Sequence, residues 1–182
     1  METFDLNFPT ASFDIVAFIE THHKEESEFP ELIMEYKVSH HCLHTPEDKY
    51  AGIIILIRKN LLILDSEVLI SSRLLNFRME LSHEKTVYNI SVFYGQNKIN
   101  RTQVSENIKE FYTNHNIEDN NIILGDFNFC HRVIDRNVSL HRNDKIWCEP
   151  WGNFYSDMNL VDPYRLQYPK RRLLFRIKSR KK

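Results

Sequence analysis

Apolar positions along this chain gather in short runs of two kinds. "FDIVAFIE" (13–20), "AGIIILIRK" (51–59) and "NNIILGD" (120–126) are nearly continuous and rich in β-branched residues, the pattern of central strands covered on both faces. "LLNFRMELS" (74–82) and "TVYNISVFY" (86–94) alternate in part, and the His83-Glu84-Lys85 between them predicts a hairpin. "YKVSHHCLH" (36–44) and "LLILDSEVLI" (61–70) add two further strands. Two segments follow a helical period instead. Asn100 with Gln103 three residues later is a capping-box pattern, after which Val104, Ile108 and Phe111 recur on one face up to about His115. A second helix opens near Pro150 and carries Trp151, Phe154, Tyr155 and Met158 before the chain leaves through "NLVDPYR" (159–165). Many strands with a few interleaved helices predict an α/β fold, a sandwich of sheets with helices on the outside.

Length and composition narrow this to one unit. At 182 residues, 42% hydrophobic and 12% aromatic, the chain suffices for one domain with a substantial core, and four glycines and six prolines leave little for linkers. The first residues, "METFDLNFPTASFD", lack a basic start followed by an apolar run, so no signal or transit peptide is read there. No apolar stretch reaches the roughly 20 residues that span a bilayer, and no membrane partner is expected. Cys42, Cys130 and Cys148 are odd in number and far apart, which suits reduced thiols in a nuclear or cytoplasmic protein, where the sequon Asn137-Val138-Ser139 goes unused.

The formal charge of −1 conceals an asymmetry. From Lys170 onward "KRRLLFRIKSRKK" holds eight of the 24 Lys and Arg and none of the 25 acids, so residues 1–169 carry 16 cations against 25 acids, a formal −9. We read 1–169 as the domain and 170–182 as a basic tail able to grip phosphate backbones, although short basic runs at termini are often merely solvated.

Two strands end in acids, Glu20 and Asp126, and Asn128 stands two residues beyond the second. A single acid after a strand is usually just its first solvated residue. Together the three could supply what hydrolysis of a phosphate ester needs: a ligand for a hard cation, a group that orients and deprotonates water, and a donor for the transition state. A magnesium ion binds through one or two carboxylates and keeps several waters, so no histidine cage is required. Gly125 would let the backbone turn sharply. His40, Cys42 and His44 alternate on one predicted strand, but no fourth zinc ligand is evident among nine scattered histidines. Trp147 and Trp151 could stack on bases, yet aromatics at helical spacing more often build core.

"FDIVAFIETH" (13–22), "AGIIILIRK", "NISVFYGQN" (89–97), "NIILGDFNFCHRVIDR" (121–136) and "NLVDPYRLQYP" (159–169) stand in the order and approximate spacing of five blocks of the endonuclease/exonuclease/phosphatase superfamily. Nearly the whole chain resembles that superfamily, most nearly the apurinic-type endonuclease domains of LINE retrotransposons. The resemblance implies a DNase I-like fold, a two-sheet β-sandwich core flanked by helices, and a DNA-nicking endonuclease dependent on Mg2+ or Mn2+. It makes Glu20 the metal ligand, Asp126 the residue that orients or deprotonates the attacking water, Asn128 its partner at the scissile phosphate, and Tyr94 a hydrogen-bonding tyrosine of the active site. Asn97 and the pair Asp135-Arg136 take supporting places. His131 matches no role in the family.

The chain departs from the family pattern in places. Tyr94-Gly95-Gln96-Asn97 replaces Tyr-Ala-Pro-Asn, and Ile134 stands for the Leu of Leu-Asp-Arg. The family's first strand, with an asparagine near the metal, has only about a dozen residues available before "ETH", and Asn7 lies too close to Glu20 to match it. Leu174 stands at the threonine of the family's last strand, and Ser179-Arg180 falls where its Ser-Asp-His stretch would begin. The expectation is therefore a sandwich lacking the family's first and last strands, a monomer acting on DNA with weakened activity. Loss of the histidine would cost about 2–5 kcal/mol in the transition state, or about 10²- to 10⁴-fold in rate. The competing expectation is a decayed, non-catalytic module that binds nucleic acid or another partner chiefly through its basic tail.

Overall fold

The structure, a computed structural model, describes residues 13–22, 36–42, 51–70, 72–81, 84–95, 101–117, 119–128 and 151–171, with the backbone alone for 37–42 and 101. Among these residues seven strands form two sheets: β1 (Ile15–Ile19), β2 (Tyr36–Cys42), β3 (Ile53–Arg58), β4 (Leu62–Ile70), β5 (Leu74–Leu81), β6 (Thr86–Tyr94) and β7 (Asn121–Asp126). The smaller sheet runs β1-β3-β2 and the larger β4-β5-β6-β7. All neighbours are antiparallel except β6 and β7, which helix α1 (Arg101–Asn114) connects and which run parallel. That is the connection a parallel pair requires. Helical residues 151–157 form α2, and Pro163–Gln167 form α3.

The period-2 pattern of the strands sorts their side chains into two apolar layers. Ile53, Ile55 and Ile57 of β3 meet Leu75, Phe77 and Met79 of β5 and Ile90 and Val92 of β6 between the sheets. Leu74 and Phe93 point to the other face of the larger sheet, where Val104, Ile108, Phe111 and Tyr112 of α1 and Trp151 and Phe154 of α2 cover them. The helical face expected from Val104, Ile108 and Phe111 is thus the buried one. The mixed α/β architecture of two sheets with a few helices is that of the DNase I-like fold expected from the sequence.

The predicted strands all form, but two sit elsewhere in the sheets than their apolar runs suggest. β1 and β7 are at the margins of the described sheets, not at their centres. Every residue of β1 is half-buried, and Ile122 of β7 is exposed. β1 sends Ile15, Ala17 and Ile19 into the core between the sheets; β7 sends Leu124 there and Ile123 to the helix-covered layer, while Ile122, on the face of Leu124, stays exposed. An apolar run records cover on both faces and is blind to whether both edges are paired.

Helix α3 is an addition to the expected elements. Asp162 caps it, its side chain accepting from the Arg165 amide at 3.0 Å, and Pro163 occupies the first turn. Asp-Pro is a helix-start signal within the stretch 159–165, where the sequence predicts only the chain's exit from the preceding helix. Asn100 of the expected capping box lies outside the described residues; Gln103 donates to Asn107 Oδ1 at 2.7 Å.

Candidate active site

β1, β6 and β7 bring their C-terminal ends to one corner of the sandwich. β1 lies over β7 across the sheet interface, and β6 pairs with β7 so that Tyr94 stands opposite Asp126. Glu20 follows β1 directly. Its carboxylate Oε1 accepts a hydrogen bond from the hydroxyl of Tyr94, which crosses from the larger sheet to the smaller. Glu20, Asp126 and Asn128 are exposed, whereas Tyr94 is buried beneath them. Polar groups on the rim thus rest on an aromatic floor.

Backbone bonds pin the corner from several sides. Thr21 N–H donates to the Gly52 carbonyl at 3.4 Å and His22 N–H to that of Ala51 at 3.2 Å, so the turn after β1 is held by the start of β3. Gly52 N–H donates to the carbonyl of Ser72, in the turn between β4 and β5 of the larger sheet, at 3.0 Å. Tyr94 N–H donates to the Arg73 carbonyl at 2.8 Å, and Gly95 N–H to the Asp126 carbonyl at 2.6 Å. Ends of elements from both sheets are therefore linked by main-chain bonds, which do not depend on side-chain rotamers.

Asp126 and Asn128 form a local turn. The Asn128 amide donates to Asp126 Oδ1 at 2.8 Å, the Asx arrangement that short acids favour, and this fixes how the carboxylate leaves the strand. The Asn128 side-chain amide donates to the Gly95 carbonyl. Glu20 (φ 56°) and Asn128 (φ 51°) both adopt the left-handed conformation. A non-glycine residue there carries strain that surrounding contacts must hold, and such residues concentrate at functional sites.

Two glycines make this packing possible. Gly125 has φ 138°, and a Cβ there would overlap the Phe93 carbonyl on the neighbouring strand. A Cβ at Gly95 would overlap the Phe127 carbonyl. Gly95 is therefore the residue that lets the β6 end close on the β7 turn.

Behind the rim, Phe127 anchors the turn in an aromatic cluster. Its ring meets Trp151 edge-on at 5.2 Å and Phe93 at 5.5 Å, and Trp151 meets Phe154 at 5.1 Å. Trp151 is buried core and no stacking platform; Trp147 lies outside the described residues. A residue unforeseen from sequence also stands here. Arg73 is 3% exposed, and its guanidinium lies 5.0 Å from the centroid of the Tyr94 ring. The serine pair before it gave no sign of a buried cation.

Of the residues singled out from sequence, Glu20, Tyr94, Asp126 and Asn128 come together. Asn97, His131 and the Asp135-Arg136 pair lie outside the described residues, as does His44, and His40 and Cys42 are described by backbone only, on β2 opposite Ile55 and Ile53. Among the described residues no group of three or more His, Cys, Asp or Glu could hold a metal ion. The corner offers hard carboxylate oxygens instead, a donor set that suits magnesium with its retained waters and not zinc. No described helix is long and apolar enough to cross a membrane.

No protein-family model and no curated protein matches this sequence. Solved structures do resemble it. The AP endonuclease LMAP from Leishmania major superposes with a TM-score of 0.64 at 14% identity, over 86% of this chain and 61% of that one. The catalytic domain of APE2 from Xenopus laevis gives 0.59 at 14% identity, over 87% and 65%. The human Nocturnin catalytic domain, with bound sulfate, gives 0.57 at 15% identity, over 85% and 60%. The chain spans less than two thirds of the length of each of these. At such identity the likeness shows the fold, which is theirs.

Proposed function

We propose that the chain is a metal-dependent phosphodiesterase that nicks DNA. The observation that carries this reading is the hydrogen bond from Tyr94 to Glu20, which joins one carboxylate to the strand whose register partner is the other, Asp126. Two acids on opposite sheets are thereby gathered at one solvent-facing corner, where a phosphate diester can be reached.

Glu20 would hold the cation, Mg2+ or Mn2+, its carboxylate fixed from below by the Tyr94 hydroxyl. When bound, such an ion neutralises charge on the phosphoryl oxygens and stabilises the leaving oxygen. Asp126 accepts the proton of the attacking water and orients it, its rotamer set by the Asx turn. Asn128, held through its backbone and side-chain amides, is the polar partner at the scissile phosphate. Asn97 and the Asp135-Arg136 pair support these groups. Residues 1–169 form the catalytic unit, and the basic run 170–182 grips flanking phosphates.

DNA as substrate, and nicking of the retrotransposon kind, rest on the order of the sequence blocks. The endonuclease name of one structural neighbour supports a nucleic-acid substrate. The reading suits a monomer in the nucleus or cytoplasm. Conversion of supercoiled plasmid to the nicked form tests it: nicking with magnesium that is lost in EDTA and in a Glu20→Ala, Asp126→Ala double variant is expected. Plasmid left supercoiled to the extent seen with that variant would overturn it. Binding with a steep salt dependence, indifferent to EDTA and without cleavage, would favour the non-catalytic module.

A further inference from the structure

The proposed chemistry leaves Arg73 unused, although it is buried against the residue that joins the two sheets. It sits just before β5, closes the β4–β5 turn through its amide to the Ile70 carbonyl at 3.0 Å, and grips Tyr94 in three ways. Its carbonyl accepts the Tyr94 amide at 2.8 Å, its Nη1 donates to the Tyr94 carbonyl at 3.4 Å, and its guanidinium lies over the ring at 5.0 Å. Two of these contacts hold the tyrosine backbone and the third the ring.

A buried guanidinium is costly to desolvate, and a hydrophobic residue of similar size would close a β-turn more cheaply. What a hydrophobic residue would not do is present positive charge to the π face of Tyr94. A cation there attracts the ring electrostatically, more strongly when desolvated, and it polarises the phenol toward donating its O–H. The hydroxyl so oriented is the one that donates to Glu20.

We propose that Arg73 is a positioning residue for the active site, fixing the Tyr94 ring and, through its hydroxyl, the Glu20 carboxylate. The inference rests on the phosphodiesterase reading for its consequence in rate, but its geometry can be tested without that activity. Supporting residues behind a metal-binding side chain change activity or metal affinity by about 10- to 100-fold.

The full-length protein labelled with 13C at the Cζ of its eight tyrosines supplies the readout. The Tyr94 signal is assigned by its disappearance in Tyr94→Phe, and it is expected to move in Glu20→Gln. In Arg73→Met that response to Glu20→Gln is expected to vanish, and magnesium-dependent nicking to fall about 10- to 100-fold in kcat with KM for DNA unchanged. Arg73→Lys, which keeps the charge and loses the planar fork, should give a smaller loss, and it decides the matter if Arg73→Met does not fold. A Tyr94 signal that keeps its position and its response in folded Arg73 variants would overturn the proposal. If the wild-type protein nicks nothing while the Tyr94 signal depends on Arg73, the proposed reaction falls and the positioning role stands.

Discussion

The hydroxyl of Tyr94, at the end of β6, donates to the carboxylate of Glu20, the residue after β1, and so joins the two sheets at the corner where Asp126 leaves β7. Removing that hydroxyl alone separates its role in the site from its role in the core, because the ring is buried and would stay packed in phenylalanine. Tyr94→Phe is expected to lower magnesium-dependent nicking by about 10- to 100-fold while far-UV circular dichroism stays unchanged. Unaltered nicking by a folded Tyr94→Phe protein would remove the hydroxyl from the account.

Gly125 lies one residue before Asp126 with φ 138°, and its missing Cβ makes room for the Phe93 carbonyl. Gly125→Ala is expected to destabilise the fold by about 1–3 kcal/mol through forced separation of β6 and β7. Urea denaturation followed by tryptophan fluorescence measures this, and a midpoint equal to that of wild type would show that the strands accommodate the methyl group.

Trp151 fills the layer between the larger sheet and the helices and touches Phe127 of the site turn. Truncation to alanine removes a fully buried aromatic, and about 3–5 kcal/mol of stability is the expected loss. Trp151→Phe should cost less and leave nicking nearly intact. A large fall in nicking for Trp151→Phe without loss of stability would instead point to a direct role at the substrate.

Burial pushes the Tyr112 hydroxyl up to about 12 despite a hydrogen bond of 2.8 Å shared with Ser91, and burial with the nearby charge of Asp162 pushes Tyr155 up to about 12 as well. Both folded values lie above the ordinary tyrosine value of 10.0. Their contribution to stability is therefore complete below pH about 10, where both states are neutral, and is lost as pH rises through about 12, because the unfolded chain ionises first. Thermal melts from pH 8 to 12 are expected to fall steeply above pH about 10, and less steeply in Tyr112→Phe. An identical pH dependence in that variant would contradict the assignment.

Much of the fold was legible because its strands are bounded by abrupt changes of polarity. β3 reads as a nearly unbroken apolar run and is the buried centre of its sheet; β5 and β6, partly alternating in sequence, pair antiparallel; the 3.6 period of Val104, Ile108 and Phe111 yields α1. The places of β1 and β7 were not legible, because edge pairing is a property of neighbours and not of a strand's own residues. In the site, Glu20, Asp126 and Asn128 stood out as polar residues ending apolar runs. Arg73 did not, since what makes it notable is burial against Tyr94, 21 positions away. Nor did the close approach at Gly95, which depends on how the Phe127 carbonyl faces it.

The central claim, that carboxylates brought together from two sheets hydrolyse a phosphodiester, is tested most directly by the single-turnover cleavage rate of a labelled duplex in saturating magnesium. Asp126→Asn keeps the shape of the side chain and its capacity to accept the Asn128 amide, and removes the base. The account predicts measurable cleavage by the wild-type protein and a rate lower by about 10²- to 10⁴-fold in Asp126→Asn. Equal rates for the two proteins, or no cleavage by either, would contradict it.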